Sequence, residues 1–266
     1  MRFSVLSSGS KANCTYLEAA GVRLLIDCGL SGLQTERRLS SLGIDPATLD
    51  AILVTHEHSD HLHGVHTLSR KYRLPVYANK ATAQFLKPLF NTINFQSGEP
   101  FSIKEVRVAP FSITHDASDP VGFTFLAEGF KFVQVTDLGK VTPLVRDAAT
   151  NCNAIVLESN HDPVMLSECG YPWELKQRIA STHGHLSNHE AGSLLAEVMH
   201  PELSHVVLAH LSENSNTPDL AERTVRGLID DLAVSSVKYL TCACIAQATP
   251  LFEVGEESVC EMAATG

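Results

Sequence analysis

The spacing of apolar residues changes along the chain, and each spacing predicts a different kind of element. The first third contains short apolar runs separated by turns, which predicts strands, including a hairpin that turns near Ala20 and Gly21. The segment LDAILVT (49–55) is apolar without alternation and predicts a strand buried on both faces. One helix is expected to end at Gly43, and another to run from the histidine-rich segment that follows to about Tyr72.

From about residue 94 to 136 the pattern has a period of two, which predicts antiparallel strands, and beyond Asp137 strands and helices alternate. Two sheet-rich halves with helices to one side of each predict a four-layer α/β/β/α sandwich, which we expect to be a single domain over residues 1–266. The other predicted elements are the strands FSVLS, LPVYA, 153–159, 204–210, VKYLTC and TPLFEV, a short helix over KATAQFLKPL, and helices over 142–149, 172–181, 187–199 and 218–232.

Composition and charge limit the class of protein. Apolar residues make up 44% of the chain and charged residues 19%, which is enough for a sizeable core. No run approaches the ~18 apolar residues of a membrane span, and no secretory signal is visible, so we expect a cytoplasmic protein without membrane contact. The formal charge of −10 argues against a broad basic surface for nucleic acid. A polyanionic substrate would therefore need a focused local field, such as that of bound metals.

The segment from His56 to His61 reads HEHSDH and fits the pattern HxHxDH. Alternate side chains of an extended segment point the same way, so His56 and His58 can converge on one ion. Where the helix begins the direction changes, and Asp60 and His61 can face a second ion. Imidazole and carboxylate ligands suit zinc, and also manganese or iron. Two such ions about 3.5–4 Å apart form a clamp for the attacking and leaving oxygens of a displacement reaction.

Three more polar residues stand where predicted strands end. His115 closes FSITH, Asp137 closes FVQVTD, and His210 closes SHVVLAH. Each of them alone is typical of an ordinary polar strand terminus. Their matching placement predicts that they complete the ligand sets that HxHxDH begins.

HxHxDH followed by a His, an Asp and a last His at strand ends resembles the metallo-β-lactamase superfamily over nearly the whole chain. The resemblance implies a sandwich of the metallo-β-lactamase type and two divalent metal ions per chain. Zinc β-lactamases have a Cys at the place of Asp137, so antibiotic hydrolysis is disfavoured. The implied ligands are His56, His58 and His115 for the first metal, Asp60, His61 and His210 for the second, and Asp137 as a bridge.

Neighbouring polar residues have less specific roles. We expect His63 and His66 to be structural, because other residues already fill the metal valences. Asp27, at the end of LLIDCG, is expected to orient a ligating histidine, with an ordinary turn carboxylate as the alternative.

Three loops are candidates for binding substrate. Small residues in SSGSKAN (7–13) let backbone N–H groups approach an anion. ESNHD (158–162) ends a predicted strand, and GHLSN (184–188) precedes a predicted helix whose N-terminus can face a phosphate. Helix caps and turns are the alternative for each loop. The candidate substrate-binding residues are Ser10, Asn13, His161, Ser187 and Asn188.

Glu158 and His185 predict proton transfer, because a carboxylate that orients an imidazole could make it a general acid. RNase Z-like enzymes carry a similar Glu and a Gly-His-Ser/Thr segment. Together with SVLSSGSKANC, LLIDCGLSG, LVTHEHSDHLHGV and RKYRLPVYAN, the chain resembles most the YycJ/WalJ family, which is similar to 5′-to-3′ exonucleases acting on DNA. One departure is Ala12, which replaces the second glycine of Gly-Ser-x-Gly-Asn and would be strained at positive φ.

These observations predict a dinuclear metal phosphodiesterase and, through the resemblance, a 5′-to-3′ exonuclease acting on single- or double-stranded DNA. A metal-bridging hydroxide would attack phosphorus, Asp60 would orient it, and His185 would protonate the departing 3′ oxygen. One alternative is a small-molecule hydrolase acting on a cyclic phosphodiester or a thioester. Another is a non-catalytic metal-binding partner in a regulatory complex. A homodimer could assemble the basic residues at 70–73 into a groove that one chain lacks.

Overall fold

Two mixed β-sheets form the inner layers of the structure, a computed structural model that describes residues 1–230, 232 and 237–255. In the first sheet β1 to β3 are antiparallel, β3 to β6 are parallel, and the last strand that the structure describes returns to pair antiparallel with β1. The strands of this sheet are β1 (Arg2–Ser7), β2 (Cys14–Ala19), β3 (Val22–Ile26), β4 (Ala51–Leu53), β5 (Pro75–Asn79), β6 (Asn91–Phe95) and the final strand β14 (Phe252–Glu253).

The second sheet also combines an antiparallel and a parallel half. Its strands are β7 (Phe101–Ile103), β8 (Val106–Ser112), β9 (Val121–Ala127), β10 (Phe130–Val135), β11 (Ala154–Glu158), β12 (His205–Ala209) and β13 (Tyr239–Cys242). Strands β7 to β10 are antiparallel and β10 to β13 are parallel. Parallel neighbours need crossover connections, and most of the helices lie in those connections.

The helices cover the outer faces of the two sheets. Within the first half of the chain they are α1 (Gly32–Ser41), α2 (Ser59–Leu62), α3 (Val65–Tyr72) and α4 (Lys80–Ala83), with a 3₁₀ turn at Pro46–Thr48. The second half contains α5 (Pro143–Ala149), α6 (Pro163–Glu168), α7 (Trp173–Ile179), α8 (Asn188–Val198) and α9 (Pro218–Ile229). No helix among the described residues has the length and apolar character that a membrane crossing requires.

Three apolar cores lie between successive layers. The central core joins the inner faces of the sheets, where the rings of Phe3 and Phe132 lie 4.9 Å apart. A second core places Leu39 of α1 and Leu68 of α3 against the first sheet. A third packs α5, α8 and α9 on the second sheet. The predicted four-layer α/β/β/α sandwich is therefore confirmed.

The single helix predicted from the histidine segment to Tyr72 is wrong, because the structure has two helices, α2 and α3, separated at His63 and Gly64. The carbonyl oxygen of Asp60 accepts a hydrogen bond from the N–H of Asn13 (2.8 Å). The N–H of Gly64, which a continuous helix would direct to that oxygen, instead donates to Cys28 (2.7 Å). Backbone hydrogen bonds to two earlier loops therefore interrupt the helix.

Other differences concern short or exposed segments. The helix predicted over KATAQFLKPL ends at Ala83, and Pro88 disfavours helix at the residue before it. Strand β6 was not predicted, because only Phe95 of its residues is buried and the segment has no clear alternation. Helix α6 was not predicted either, because six residues are too few to show a helical period. The helix predicted over 218–232 extends past the end of α9, and part of that extension lies outside the described residues. Cys260 also lies outside them.

Gly29 allows three loops to pack at the edge where the predicted metal ligands lie. Its N–H donates to the carbonyl oxygen of Asn13 (2.8 Å), and the neighbouring N–H of Cys28 donates to that of His61 (2.8 Å). A Cβ atom at position 29 would lie 1.6 Å from the carbonyl oxygen of Asp60, so a side chain cannot fit without moving backbone. The position of HxHxDH therefore depends on this glycine.

We expect Gly29→Ala to lower the free energy of unfolding by about 3 kcal/mol, the upper part of the range for overpacked sites. The matched control is Gly227→Ala in α9, where a Cβ would have no atom within 4 Å. This control should gain about 0.5–1 kcal/mol from the higher helix propensity of Ala. Urea denaturation of both variants measures the difference, and equal stabilities would contradict the proposed packing.

Candidate metal centre

All the predicted metal ligands lie at one edge of the sandwich, where strands of both sheets end. His56 follows β4 within a few residues, Asp137 follows β10, and His210 follows β12 directly. The carboxyl ends of parallel strands share one edge of a sheet and are a common place for functional sites. The predicted strand-end residues therefore meet at one place.

Sharp turns aim several of these side chains toward the centre. Asp27, Asp137 and His210 have φ values of 58°, 58° and 56°. This left-handed conformation is uncommon outside glycine, although Asp and His adopt it more often than most residues. It carries a strain of order 1–3 kcal/mol and is typical of functional sites. The placement of these three side chains therefore lowers the stability of the fold.

The first group consists of His56, His58 and His115. Nε2 of His56 lies 3.1 Å from Nδ1 of His58, and Nε2 of His115 lies 3.3 Å from that same atom. His56 and His115 are buried, whereas His58 is partly exposed. All three offer a nitrogen within 4.8 Å of the others, an arrangement that could hold a metal ion.

The second group consists of Asp60, His61 and His210, whose ligand atoms also lie within 4.8 Å of one another. Asp137 stands between the two groups. Its Oδ2 is 3.3 Å from Nε2 of His61, and its Oδ1 is 3.4 Å from Nε2 of His210 and 3.9 Å from Nε2 of His115. The structure thus brings all seven predicted ligands together, with Asp137 in contact with both groups.

Two buried atoms at the centre indicate that a cation fits. Nε2 of His210 and Oδ2 of Asp137 are buried and make no hydrogen bond with the residues that the structure describes. A buried polar atom without a partner costs about 1–3 kcal/mol. A divalent ion held at this centre would satisfy both atoms, and imidazole with carboxylate is a donor set that zinc, manganese and iron accept.

The carboxylates and imidazoles at the centre control each other's protonation. Burial raises the pKa of Asp137, but the charges of His210 and His61 outweigh this and hold it well below its usual range. Burial lowers the pKa of His210, but Asp137 and Glu158 raise it to about 10. Burial likewise lowers the pKa of His61, and the carboxylates of Asp27 and Asp137 raise it well above its usual value. The centre therefore attracts positive charge.

Asp27 lies behind the second group and orients it. Its Oδ2 is 2.9 Å from Nδ1 of His61 and accepts a hydrogen bond from the hydroxyl of Thr55 (2.8 Å). Its Oδ1 accepts a hydrogen bond from the N–H of Thr55 (2.9 Å). Because Nδ1 of His61 is engaged in this way, Nε2 is left to face the centre. The geometry therefore agrees with an orienting role for Asp27.

Glu158 is fully buried and joins the metal centre to His185. Its Oε1 lies 2.8 Å from Nδ1 of His185 and 2.9 Å from Nδ1 of His210. Its Oε2 accepts hydrogen bonds from the N–H of Leu138 (2.8 Å) and the N–H of Leu186 (3.3 Å). Burial raises the pKa of Glu158, but His185 and His210 lower it to about 2. The side chain is therefore ionised, and it fixes both imidazoles.

The first loop has one residue beside the centre and one on the surface. Asn13 is buried, and its side-chain amide donates to Oδ2 of Asp60 (2.9 Å), whereas Ser10 is exposed. Ala12 is not among the described residues with positive φ, since the unusual conformation of this loop falls on Gly9 (φ 139°). The strain considered for Ala12 is therefore absent, and the substrate-binding roles of Ser10 and Asn13 stay predictions.

Among the other candidate substrate-binding residues, the side chains of Ser187 and Asn188 are engaged within the protein. The Ser187 hydroxyl caps α8 by accepting from the N–H of Glu190 (3.3 Å). Asn188 is buried, and its Oδ1 accepts from the hydroxyl of Ser159 (2.6 Å). His161 is also buried, and its carbonyl oxygen accepts from the N–H of Asn188 (2.9 Å). The capping alternative holds for Ser187, and the substrate-binding roles of all three residues stay predictions.

A cleft of about 310 Å³ opens beside the centre. His115, His185 and His210 form its floor, and Ser10 lies on its rim. Tyr171 and Arg178 form a wall that sequence reasoning missed, because the short helices α6 and α7 give no motif. Pro172, directly before α7, indicates only where that helix begins.

Solved structures share this fold over almost their whole length. The metallo-β-lactamase fold protein YhfI from Bacillus subtilis matches with a TM-score of 0.70 and 16% identity, covering 93% of this chain and 98% of that one. The short form of human tRNase Z matches with a TM-score of 0.65 and 16% identity, covering 95% and 100%. At these identities the likeness concerns the fold alone.

Sequence comparison is more specific. Residues 22–211 match the family described as "Beta-lactamase superfamily domain". The exodeoxyribonuclease YycJ of Bacillus anthracis is 38% identical over 237 residues, which cover 87% of this chain and 90% of that protein. The exodeoxyribonuclease WalJ of Streptococcus pneumoniae serotype 2 is 36% identical over 232 residues, covering 84% and 86%. The chain therefore belongs to the β-lactamase superfamily and, within it, to the family of YycJ and WalJ.

Proposed function

We propose that the protein is a metal-dependent phosphodiesterase that degrades DNA from its 5′ end, releasing nucleotides in the 5′-to-3′ direction. The observation that carries this proposal is the Glu158–His185 pair, which lies beside groups of side chains that could hold metal ions and would supply a proton donor there. Relatives named exodeoxyribonucleases, similar over most of their length, support DNA as the substrate. The single domain, the cytoplasmic location and the homodimer stay predictions.

The metal ligands follow from the two groups of donor atoms. His56, His58 and His115 would hold one ion, Asp60, His61 and His210 the other, and Asp137 would contact both. Zinc suits this set first, with manganese or iron as alternatives. When bound, two such ions polarise the phosphoryl oxygens and lower the pKa of a water molecule.

Asp60 would orient the attacking water. Burial raises the pKa of this carboxyl, but the neighbouring imidazoles of His210 and His61 hold it below its usual range. The amide of Asn13 donates to Oδ2 and fixes the carboxylate plane. An ionised, fixed carboxylate beside the phosphorus can accept a proton from water and direct its lone pair.

His185 would protonate the leaving 3′ oxygen. Glu158 holds Nδ1 of its ring, so Nε2 is the nitrogen that can donate a proton, and the side chain is 21% exposed at the cleft. Its ring lies 5.0 Å from that of His210 and 5.4 Å from that of His115. The departing nucleotide carries the 3′ oxygen, so it would occupy the cleft between Ser10, Tyr171 and Arg178.

Asp60→Asn should lower the rate of DNA hydrolysis at least about 100-fold, because it removes both a metal ligand and the acceptor for the water proton. The assay is release of label from 5′-labelled single-stranded and duplex DNA by metal-loaded protein. His189→Gln is the matched control and should retain full activity, since His189 is an exposed histidine of α8 that belongs to none of the ligand groups and does not line the cleft. Absence of DNA hydrolysis by the wild type, with bis-p-nitrophenyl phosphate hydrolysed, would favour the small-molecule alternative instead.

His185→Gln should affect substrates according to their leaving group. An alkoxide needs a proton as it departs, so DNA hydrolysis should fall about 100-fold or more. A p-nitrophenolate leaves without a proton, so the rate for thymidine 5′-(p-nitrophenyl phosphate) should fall less than about tenfold. Steady-state kinetics on both substrates test this, and equal losses would show that His185 binds substrate without donating a proton.

Metal binding should release protons, because the pKa values of His61 and His210 are raised, the latter to about 10, and both must be deprotonated as ligands. Metal affinity should therefore rise with pH between about 6 and 8. Calorimetric titration of chelator-treated protein with Zn²⁺ at pH 7, in buffers of different ionisation enthalpy, counts the protons. We expect at least about one per chain, and a binding enthalpy independent of buffer would contradict this.

A further inference from the structure

A second groove, of about 390 Å³, borders the histidine segment. One wall contains Ser59, His63 and His66, and the other is formed by Phe85, Leu86 and Lys87. Ser59 lies between His58 and Asp60 in sequence, so the wall of this groove is the metal-binding loop itself. None of the residues that line it also lines the cleft at His185, so the groove and the cleft are separate openings.

The loop between α4 and β6 presents aromatic rings to this region. Phe85 is 57% exposed and Phe90 is 46% exposed. The guanidinium of Arg73 lies 5.0 Å from the ring centre of Phe90 and covers it. No cation of the described residues lies over Phe85, which lines the groove. An exposed ring on an apolar wall is a surface on which a nucleic acid base can stack.

The groove has a lysine in its wall and an arginine one helical turn from His66, although the chain is acidic. Lys87 lies in its wall, and Arg70 follows His66 by one turn on the same face of α3. Within the part of the chain that the structure describes, neither cation has a carboxylate at ion-pair distance, whereas Lys71 pairs with Glu36 at 2.9 Å. Glu57 also lines the groove, and its Oε1 accepts from the N–H and hydroxyl of Ser118, both at 2.7 Å.

The proposed reaction forms two products, a released nucleotide and the remaining strand, and each is assigned to a different opening. Cleavage breaks the bond between phosphorus and the 3′ oxygen of the terminal nucleotide, which leaves on the side of His185. The remaining strand keeps the phosphorus as its new 5′ phosphate. Because the leaving group and the rest of the strand are different substituents of phosphorus, the remaining strand must depart by another path.

We propose that the groove between His63 and Phe85 binds the single-stranded DNA on the 3′ side of the scissile phosphate. A base stacks on Phe85, and Lys87 and Arg70 contact its phosphates. This inference rests on the proposed function, because it requires a phosphodiester of DNA at the metal centre. It gives a role to Arg70, Lys87 and the exposed loop with Phe85, none of which the metal chemistry uses.

The test separates base stacking from phosphate contacts. Two 5′-phosphorylated decanucleotides are compared, one of thymidines and one with abasic residues on the 3′ side of the scissile phosphate. Wild-type protein should show a KM about tenfold lower for the strand with bases, since one stacked base contributes about that factor. Phe85→Ala should abolish the difference, and Phe85→Tyr should retain it.

Charge is tested separately with Lys87→Gln. It should weaken binding of both strands and reduce the slope of log K against log salt by about 0.7, the value for one phosphate contact on a single strand. Lys104→Gln, an exposed lysine that pairs with Asp50 away from the groove, is the matched control and should leave the slope unchanged. Fluorescence anisotropy of labelled strands on the Asp60→Asn background measures the affinities.

The outcomes distinguish the groove from the proposed function. If the wild type hydrolyses DNA but Phe85→Ala keeps the full preference for bases, the groove assignment is wrong and the nuclease stands. If the wild type binds the thymidine strand through Phe85 but cleaves no DNA, the groove stands and the nuclease proposal is wrong. If it neither binds nor cleaves either strand, both are wrong.

Discussion

Three buried carboxylates stand between imidazoles, and this pairing of charges is the constraint on which the site depends. Asp27, Asp137 and Glu158 are at most 2% exposed. An isolated ionised carboxylate in an apolar interior would cost several kcal/mol or take up a proton. Each of the three instead lies within 3.4 Å of an imidazole nitrogen. The histidines therefore make the buried acids stable, and the acids fix the histidines.

This pairing explains how the two sheets share one centre. Asp27 and His61 belong to the first sheet and its loops, whereas Asp137, Glu158 and His210 follow strands of the second. The contact of Asp137 with His61 crosses from one sheet to the other. Displacement of either sheet edge would leave a buried charge without its partner. The central core sets the distance between the sheets, and these contacts select the register in which the site is complete.

Sequence reasoning succeeded where the signal was local. HxHxDH is six residues long, and His115, Asp137 and His210 share the same placement at strand ends, so their meeting followed from topology. The support given to Asp60 by Asn13 could not be predicted, because it depends on the close packing of distant loops at Gly29. The interruption between α2 and α3 has the same origin. Periodicity describes an element in isolation, whereas these features arise from backbone hydrogen bonds between elements.

The acidic charge of the chain places a condition on the proposed function. A protein with a formal charge of −10 repels DNA. In physiological salt this repulsion is screened beyond about 8–10 Å. Two divalent cations at the centre would reverse the sign of the local field where the scissile phosphate must lie. Lys87 and Arg70 would extend that positive region along the strand for a few nucleotides only. The affinity for DNA would then depend on the occupied centre and the adjoining groove. A strand without a 5′ end at the centre would gain little affinity from the rest of the surface. An acidic exterior with a small positive site thus favours attack at an end over binding along a duplex.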